Sequence, residues 1–244
     1  MPLASEFGRL RVVLVATRNP LNLGAAARAM SNFGFLRLRV VNPYQIAFRE
    51  ARSAVGAEVL LRQAEEYTNV AQAVADCTLV VGTTSGARRD LTQPPRGLHE
   101  AARELRRQLL SGAVALLFGS EKRGLSNEDM SHCHWLLRIP TRAQHPSMNL
   151  GQAVAVCLYE LARLPASTPA AEAPKLATAG QLERVTALLF QALDASGYVK
   201  PSTSASTEQK VRRLVRRLEM PADDIEIWLG MLRQIAWKLA RNRT

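Results

Sequence analysis

Apolar and polar positions are arranged in two different ways along the 244 residues. Over residues 1–164, short apolar runs alternate with longer stretches of helical periodicity. The runs are "RLRVVLVA" (9–16), "LRLRVV" (36–41), "TLVVGTT" (78–84), "VALLFGS" (114–120) and "WLLRIP" (135–140). They are β-branched or leucine-rich and bounded by Gly, Pro, Thr or Asn, which predicts strands. Helical patterns lie between them near 22–33, 44–55, 69–76, 97–110 and 127–133, and a long one follows at 149–164. Strand and helix in alternation predict an α/β domain: a mainly parallel sheet with helices on both faces. In such sheets binding sites gather at the carboxyl ends of the strands.

The pattern changes after residue 164. "PASTPAAEAPKLATA" (165–179) is too rich in Ala and Pro to build a core and predicts a linker. Residues 180–244 are helical throughout, a small all-α extension. "QLERVTALLFQALDASG" closes on a glycine stop. "TEQKVRRLVRRLEM" places Val211, Leu214, Val215 and Leu218 at i, i+3, i+4, i+7, which predicts that they face inward. Arg212, Arg213, Arg216 and Arg217 fall off that stripe. A third helix is predicted from about Asp223 to Ala240.

Composition narrows the partners. At 47% hydrophobic residues the chain can bury a substantial core, and no run approaches the ~18 apolar residues of a membrane span. With no secretory signal pattern at its start, the chain is expected in the cytoplasm. Cys77, Cys133 and Cys157 are odd in number and widely spaced, which suits reduced, packed thiols and not a disulfide framework. The net charge of +11 points to a polyanion, with nucleic acid foremost. That charge is unevenly held: residues 200–244 carry 10 basic side chains against 5 acidic ones.

Three strand-to-helix junctions hold the candidate chemistry. In "RNPLNLGAAARAM" (18–30), Asn22 is a suitable N-cap, and Leu23, Ala26, Ala27, Met30 and Phe33 form an apolar stripe. Arg28 falls nearly opposite that stripe, among the small or polar Gly24, Ala25, Ser31 and Asn32. It is either a solvated surface arginine or a cation that a ligand can approach closely. "LFGSEKRGLSNEDM" (117–130) leaves a strand at Gly119 and enters a helix through a Ser126-x-x-Asp129 capping box. Its loop lacks the spacing of a phosphate-binding P-loop. "RIPTRAQHPSMNLGQAV" (138–154) runs through a polar loop into a helix opening at Ser147 or Asn149. Ser147 has no assignable His–acid partners for a nucleophilic triad. "SHCH" (131–134) does not match structural zinc spacing, so no metal is expected. The lone glycine of the first junction also fails the G-x-G-x-x-G of a dinucleotide fold.

Taken in order, "NLGAAARAM", "FGSEKRGL" and "IPTRAQHPSMNLGQAVAV" resemble the three motifs of the SpoU branch of the SPOUT superfamily of RNA methyltransferases. "VVGTTSG" (80–86) and the helical tail are similar too, so the likeness spans nearly the whole chain. The resemblance implies a SPOUT fold: a parallel sheet with a deep trefoil knot, formed by the segments around 114–120, 135–148 and the helix from 149. It implies S-adenosyl-L-methionine as cofactor, held by Thr83, Thr84, Ser85, Gly119, Ile139, Pro146, Ser147 and Met148. It implies a homodimer with the active site at the subunit interface, and catalysis by Arg28 supported by Asn22, Glu121, Ser147 and Asn149. The implied reaction is 2′-O-methylation of a tRNA ribose, at nucleotide 32 of the anticodon loop, cytidine or uridine. A ribosomal RNA substrate and a non-catalytic RNA-binding role are the alternatives. Arg18, Arg28, Arg212, Arg213, Arg216 and Arg217 would then meet RNA.

Overall fold

The computed structural model describes residues 5–44, 56–86, 94–165 and 175–241. Seven parallel strands form one sheet: β1 (Leu10–Val15), β2 (Leu38–Val41), β3 (Glu65–Tyr67), β4 (Leu79–Thr83), β5 (Arg96–Gly97), β6 (Val114–Phe118) and β7 (Trp135–Arg138). Their order across the sheet is β3-β2-β1-β6-β4-β7-β5. All five predicted strands are present within a residue or two of their expected ends. Of the other two, β3 reads "EEY" and β5 "RG", both on the sheet edges, where one row of backbone groups is unpaired and little apolar surface is buried.

Period two along each strand builds a core on both faces of the sheet. Leu10, Val12 and Leu14 of β1 and Val114, Leu116 and Phe118 of β6 face one side. There they meet α1 (Pro20–Phe33), α2 (Glu58–Arg62), α4 (Leu98–Gln108) and α6 (Leu150–Arg163). Val13, Val15, Ala115 and Leu117 face the other side, with the four-residue α3 (Val70–Ala73) and α5 (Asn127–Ser131). The three cysteines are buried and free. The helix expected over 44–55 lies almost wholly outside the described residues.

The extension is α7 (Ala179–Ala195), α8 (Ser204–Arg217) and α9 (Ile225–Arg241) around a small core of Leu182, Val185, Val211, Val215, Met220, Ile225, Leu229 and Leu232. It is pinned to the sheet domain by its first turn. The N–H groups of Ala179 and Gly180 donate to the carbonyls of Cys77 and Ala75. Within the segment expected to be a linker, residues 166–174 lie outside the description, but Lys175–Thr178 are paired. The Ala177 N–H bonds the Met220 carbonyl, and Thr178 caps α7 in a capping box with Gln181.

The expected inward stripe of α8 is corrected by about one residue. Leu214 and Leu218 are 47% and 49% exposed, whereas Arg212 and Arg216 are 5% and 1% exposed beside Val211 and Val215. Helical spacing allows either frame, and carboxylates decide between them. Glu183 of α7 accepts from Arg212 Nε at 2.9 Å and from Arg216 Nη2 at 3.1 Å, which makes burial of two guanidinium groups tolerable.

Candidate active site

A cleft of about 520 Å³ opens where the carboxyl ends of β4, β6 and β7 meet. Every residue expected to hold the cofactor lines it: Thr83, Thr84, Ser85, Gly119, Ile139, Pro146, Ser147 and Met148. The loop after β6 forms one wall. It closes on itself through a Gly124 N–H to Ser120 carbonyl bond of 2.8 Å, with Gly124 at a φ of +65°. A Cβ on Gly119 would collide with the Gly124 carbonyl carbon and the Leu125 nitrogen, so only glycine leaves room for the loop to fold back. Leu125 and Met130 give the cleft an apolar side that sequence reasoning missed, as it did the lining residues Lys122 and Arg123. The signal for Met130 was its place in the helix that the Ser126–Asp129 capping box starts.

Beside the cleft, the three motif loops are tied together by side chains. Asn22 Nδ2 donates to Glu121 Oε1 at 3.0 Å, and Asn149 Nδ2 donates to Asn22 Oδ1 at 2.7 Å. Glu121 also accepts from the backbone of Asn19 at 3.3 Å and of Arg18 at 3.5 Å. Asn149 is the N-cap of α6, accepting from Gly151 N–H. Asn22, in contrast, is not the cap of α1. Asn19 is, accepting from Leu21 N–H at 2.9 Å, with Pro20 in the first turn. Proline lacks the N–H that the first turn would leave unpaired, which sets the helix start earlier than expected and frees Asn22 for the motif link.

The small residues near Arg28 have a packing role that the sequence did not disclose. Gly24 is buried, and a Cβ on Gly151 of α6 would lie 2.6 Å from the Ala25 Cβ. Small side chains here let α1 and α6 approach. Arg28 itself is exposed, lies outside the cleft lining and makes no side-chain hydrogen bond or ion pair among the described residues. Ser147 lines the cleft with an exposed side chain. Thr83 spends its hydroxyl on the Leu117 carbonyl at 2.9 Å, so it shapes the cleft floor.

The tail arginines separate. Arg212 and Arg216 are enclosed in ion pairs with glutamates and cannot reach a phosphate, which corrects the RNA contact expected of them. Arg213 is half-buried and donates to the Asn127 carbonyl at 3.1 Å, and Arg217 is exposed. In "SHCH", His134 Nδ1 accepts from Val80 N–H at 3.0 Å, tying that ring to β4. No helix among the described residues is long and apolar enough to cross a membrane.

A model of the SpoU rRNA methylase family matches residues 9–159. The chain is 33% identical to the tRNA (cytidine/uridine-2′-O-)-methyltransferase TrmJ of Pectobacterium atrosepticum, over 93% of this chain and 96% of that protein. It is 34% identical to the protein of the same name from Sodalis glossinidius, over 93% and 91% of the two chains. The crystal structure of TrmJ from Z. mobilis ZM4 superposes with a TM-score of 0.81 at 31% identity, covering 92% of this chain and 98% of that one.

Proposed function

The chain belongs to the SpoU rRNA methylase family, and on that premise we propose that it transfers a methyl group from S-adenosyl-L-methionine to a tRNA ribose 2′-oxygen. The relatives named for that activity match it across 93% of its length. The observation that carries the reading is the side-chain link from Glu121 through Asn22 to Asn149, which joins all three motif loops beside one cleft. We assign nucleotide 32, cytidine or uridine, as the target. The knot belongs to the same reading, threaded by the segments after β6 and β7.

The cleft fits the cofactor. Its volume suits a nucleoside-sized ligand, and its walls combine Leu125, Met130, Ile139 and Met148 with the polar Thr84, Ser85 and Ser147. When bound, S-adenosyl-L-methionine supplies a methyl group already activated by its sulfonium. What remains for the protein is to orient the ribose hydroxyl and manage its proton, so positioning supplies much of the acceleration. Arg28 is a poor base, with a guanidinium that stays protonated in proteins, but a good partner for a phosphate and a developing alkoxide. Glu121, Asn22 and Asn149 hold the helix that carries it.

Arg28 lies outside the lining of its own chain's cleft, which supports a homodimer whose site is completed across the interface. Mixing Arg28→Ala chains with chains carrying Gly119→Val tests this. Regained methyl transfer in the mixture supports a shared site, and two inactive partners that stay inactive argue against it. For the reaction, labelled S-adenosyl-L-methionine is incubated with tRNA and the product digested to nucleosides. Ribose-methylated cytidine or uridine from nucleotide 32 is expected. Label on a base overturns the ribose assignment, and transfer to ribosomal RNA alone overturns the tRNA substrate.

A further inference from the structure

Between the extension and the cleft lies an ion network centred on the buried Arg212. Its Nη1 donates to Glu128 Oε1 and to Ser131 Oγ, both at 3.1 Å and both on α5. Its Nε donates to Glu183 of α7 at 2.9 Å, and its Nη2 to Glu208 on its own helix at 2.7 Å. Arg213 adds a bond to the Asn127 carbonyl in the first turn of α5. His132, just past α5, sits 3.5 Å from Glu128 and 3.6 Å from Glu183. A five-residue helix cannot hold itself in place. Here α5 is held by its capping box at one end and by Arg212 on its outer side.

The inner side of the same segment is the cofactor wall. Met130 of α5 and Leu125, just before it, both line the cleft. Leu125 and Cys133, on either side of α5, press on the sheet tightly: a Cβ on Gly82 of β4 would lie 2.9 Å from Leu125 Cδ1 and 2.8 Å from Cys133 Sγ. We infer that the helical extension is a working part of the cofactor site, with Arg212 as the positioning residue that sets α5 and, through it, the Leu125–Met130 wall. This gives a structural reason for burying an arginine that was expected to meet RNA. The inference rests on the cleft being the S-adenosyl-L-methionine site.

Two measurements on the full chain test it. In the first, S-adenosylhomocysteine binding is followed by calorimetry without RNA, and KM for S-adenosyl-L-methionine is measured with tRNA. Arg212→Gln is expected to weaken cofactor binding and raise that KM about tenfold while kcat at saturating cofactor changes little. Glu128→Gln, which cuts the bridge to α5 from its exposed end, is expected to shift both in the same direction by about threefold. Glu226→Gln, which touches only the exposed Arg184 elsewhere in the extension, should leave cofactor binding unchanged. In the second, amide hydrogen exchange on the ligand-free protein should show faster exchange over 119–133 in Arg212→Gln and Glu128→Gln, with Glu226→Gln as wild type. Unchanged cofactor binding and exchange in both variants overturns the inference. So does a loss of tRNA affinity and salt dependence with cofactor binding intact, which would restore Arg212 as a phosphate contact. If the wild-type chain fails to bind S-adenosylhomocysteine, the cofactor reading falls, and the exchange measurement still decides whether Arg212 sets α5.

Discussion

Arg28 and His134 are two basic side chains in opposite surroundings, and each makes its own prediction. Arg28 is exposed and unpaired among the described residues, so removing it should leave folding unchanged within about 0.5 kcal/mol. Its loss should lower methyl transfer by about 100-fold or more with cofactor affinity retained. Arg28→Lys with near-full turnover and a shifted pH profile would argue against a guanidinium-specific role. His134 is held neutral: burial lowers its pKa and the Arg216 charge lowers it further, leaving it at about 3. The unfolded chain takes up this proton near 6.5 while the folded chain does not, so stability falls as pH drops below 6.5 and levels off near 3. The slope from this group is up to about 1.4 kcal/mol per pH unit. Glu183 acts at the lower end. Burial raises its pKa, but His132, Arg212 and Arg216 hold it down to about 2. Its stabilisation is complete above about 4.5 and is lost as pH falls towards 2. Urea midpoints measured from pH 7 to 3 check both, and His134→Gln should flatten the first part of the curve.

Among the elements, the packing of α1 on α6 and the fold-back of the loop after β6 decide the site's geometry. Gly151→Ala would place a Cβ against Ala25 and should cost about 1–3 kcal/mol, read as a lowered denaturation midpoint. The same shift displaces Asn149, and with it the bond to Asn22. Gly119→Ala should abolish cofactor binding, because its Cβ occupies backbone positions of Gly124 and Leu125. Calorimetry with S-adenosylhomocysteine reads that directly. Helix existence was legible from periodicity, but helix phase was not. In α8 the inward face is chosen by Glu183 and Glu128, which lie 29 and 84 residues from Arg212 in the chain. In α1 the local pair Asn19-Pro20 already contained the cap, and the later Asn22 competed with it as an equally good residue type.

At the scale of the molecule, the net charge of +11 favours a polyanion partner, and the number of phosphates neutralised would set how that binding responds to salt. With Arg212 and Arg216 enclosed, only Arg217, which is exposed, and Arg213, which is half-exposed, stay accessible among the four α8 arginines expected to meet phosphates. Arg217→Ala should weaken tRNA binding similarly for all sequences and reduce the slope of log affinity against log salt by about one. Arg216→Ala should instead destabilise the fold by about 3–5 kcal/mol, since it leaves Glu183 with one guanidinium fewer at a buried site. Filter binding across a salt series separates the first effect, and chemical denaturation the second.

The sequence alone determined the alternation of strand and helix, the all-helical tail, the positive charge and the three strand-to-helix junctions. These depend on residue type and spacing within about twenty positions, where period two and period 3.6 are written directly. Through a resemblance that links motifs far apart in the chain, it also named eight residues that the fold brings together to line one cleft. Tertiary structure alone decided which polar groups pay for one another's burial. Asn22 meets Glu121 and Asn149 only because β1, β6 and β7 end at the same side of one parallel sheet. Arg212 turns inward only because carboxylates from two other helices wait there. A charged side chain's place depends on partners that local periodicity does not contain, and the fold supplies them.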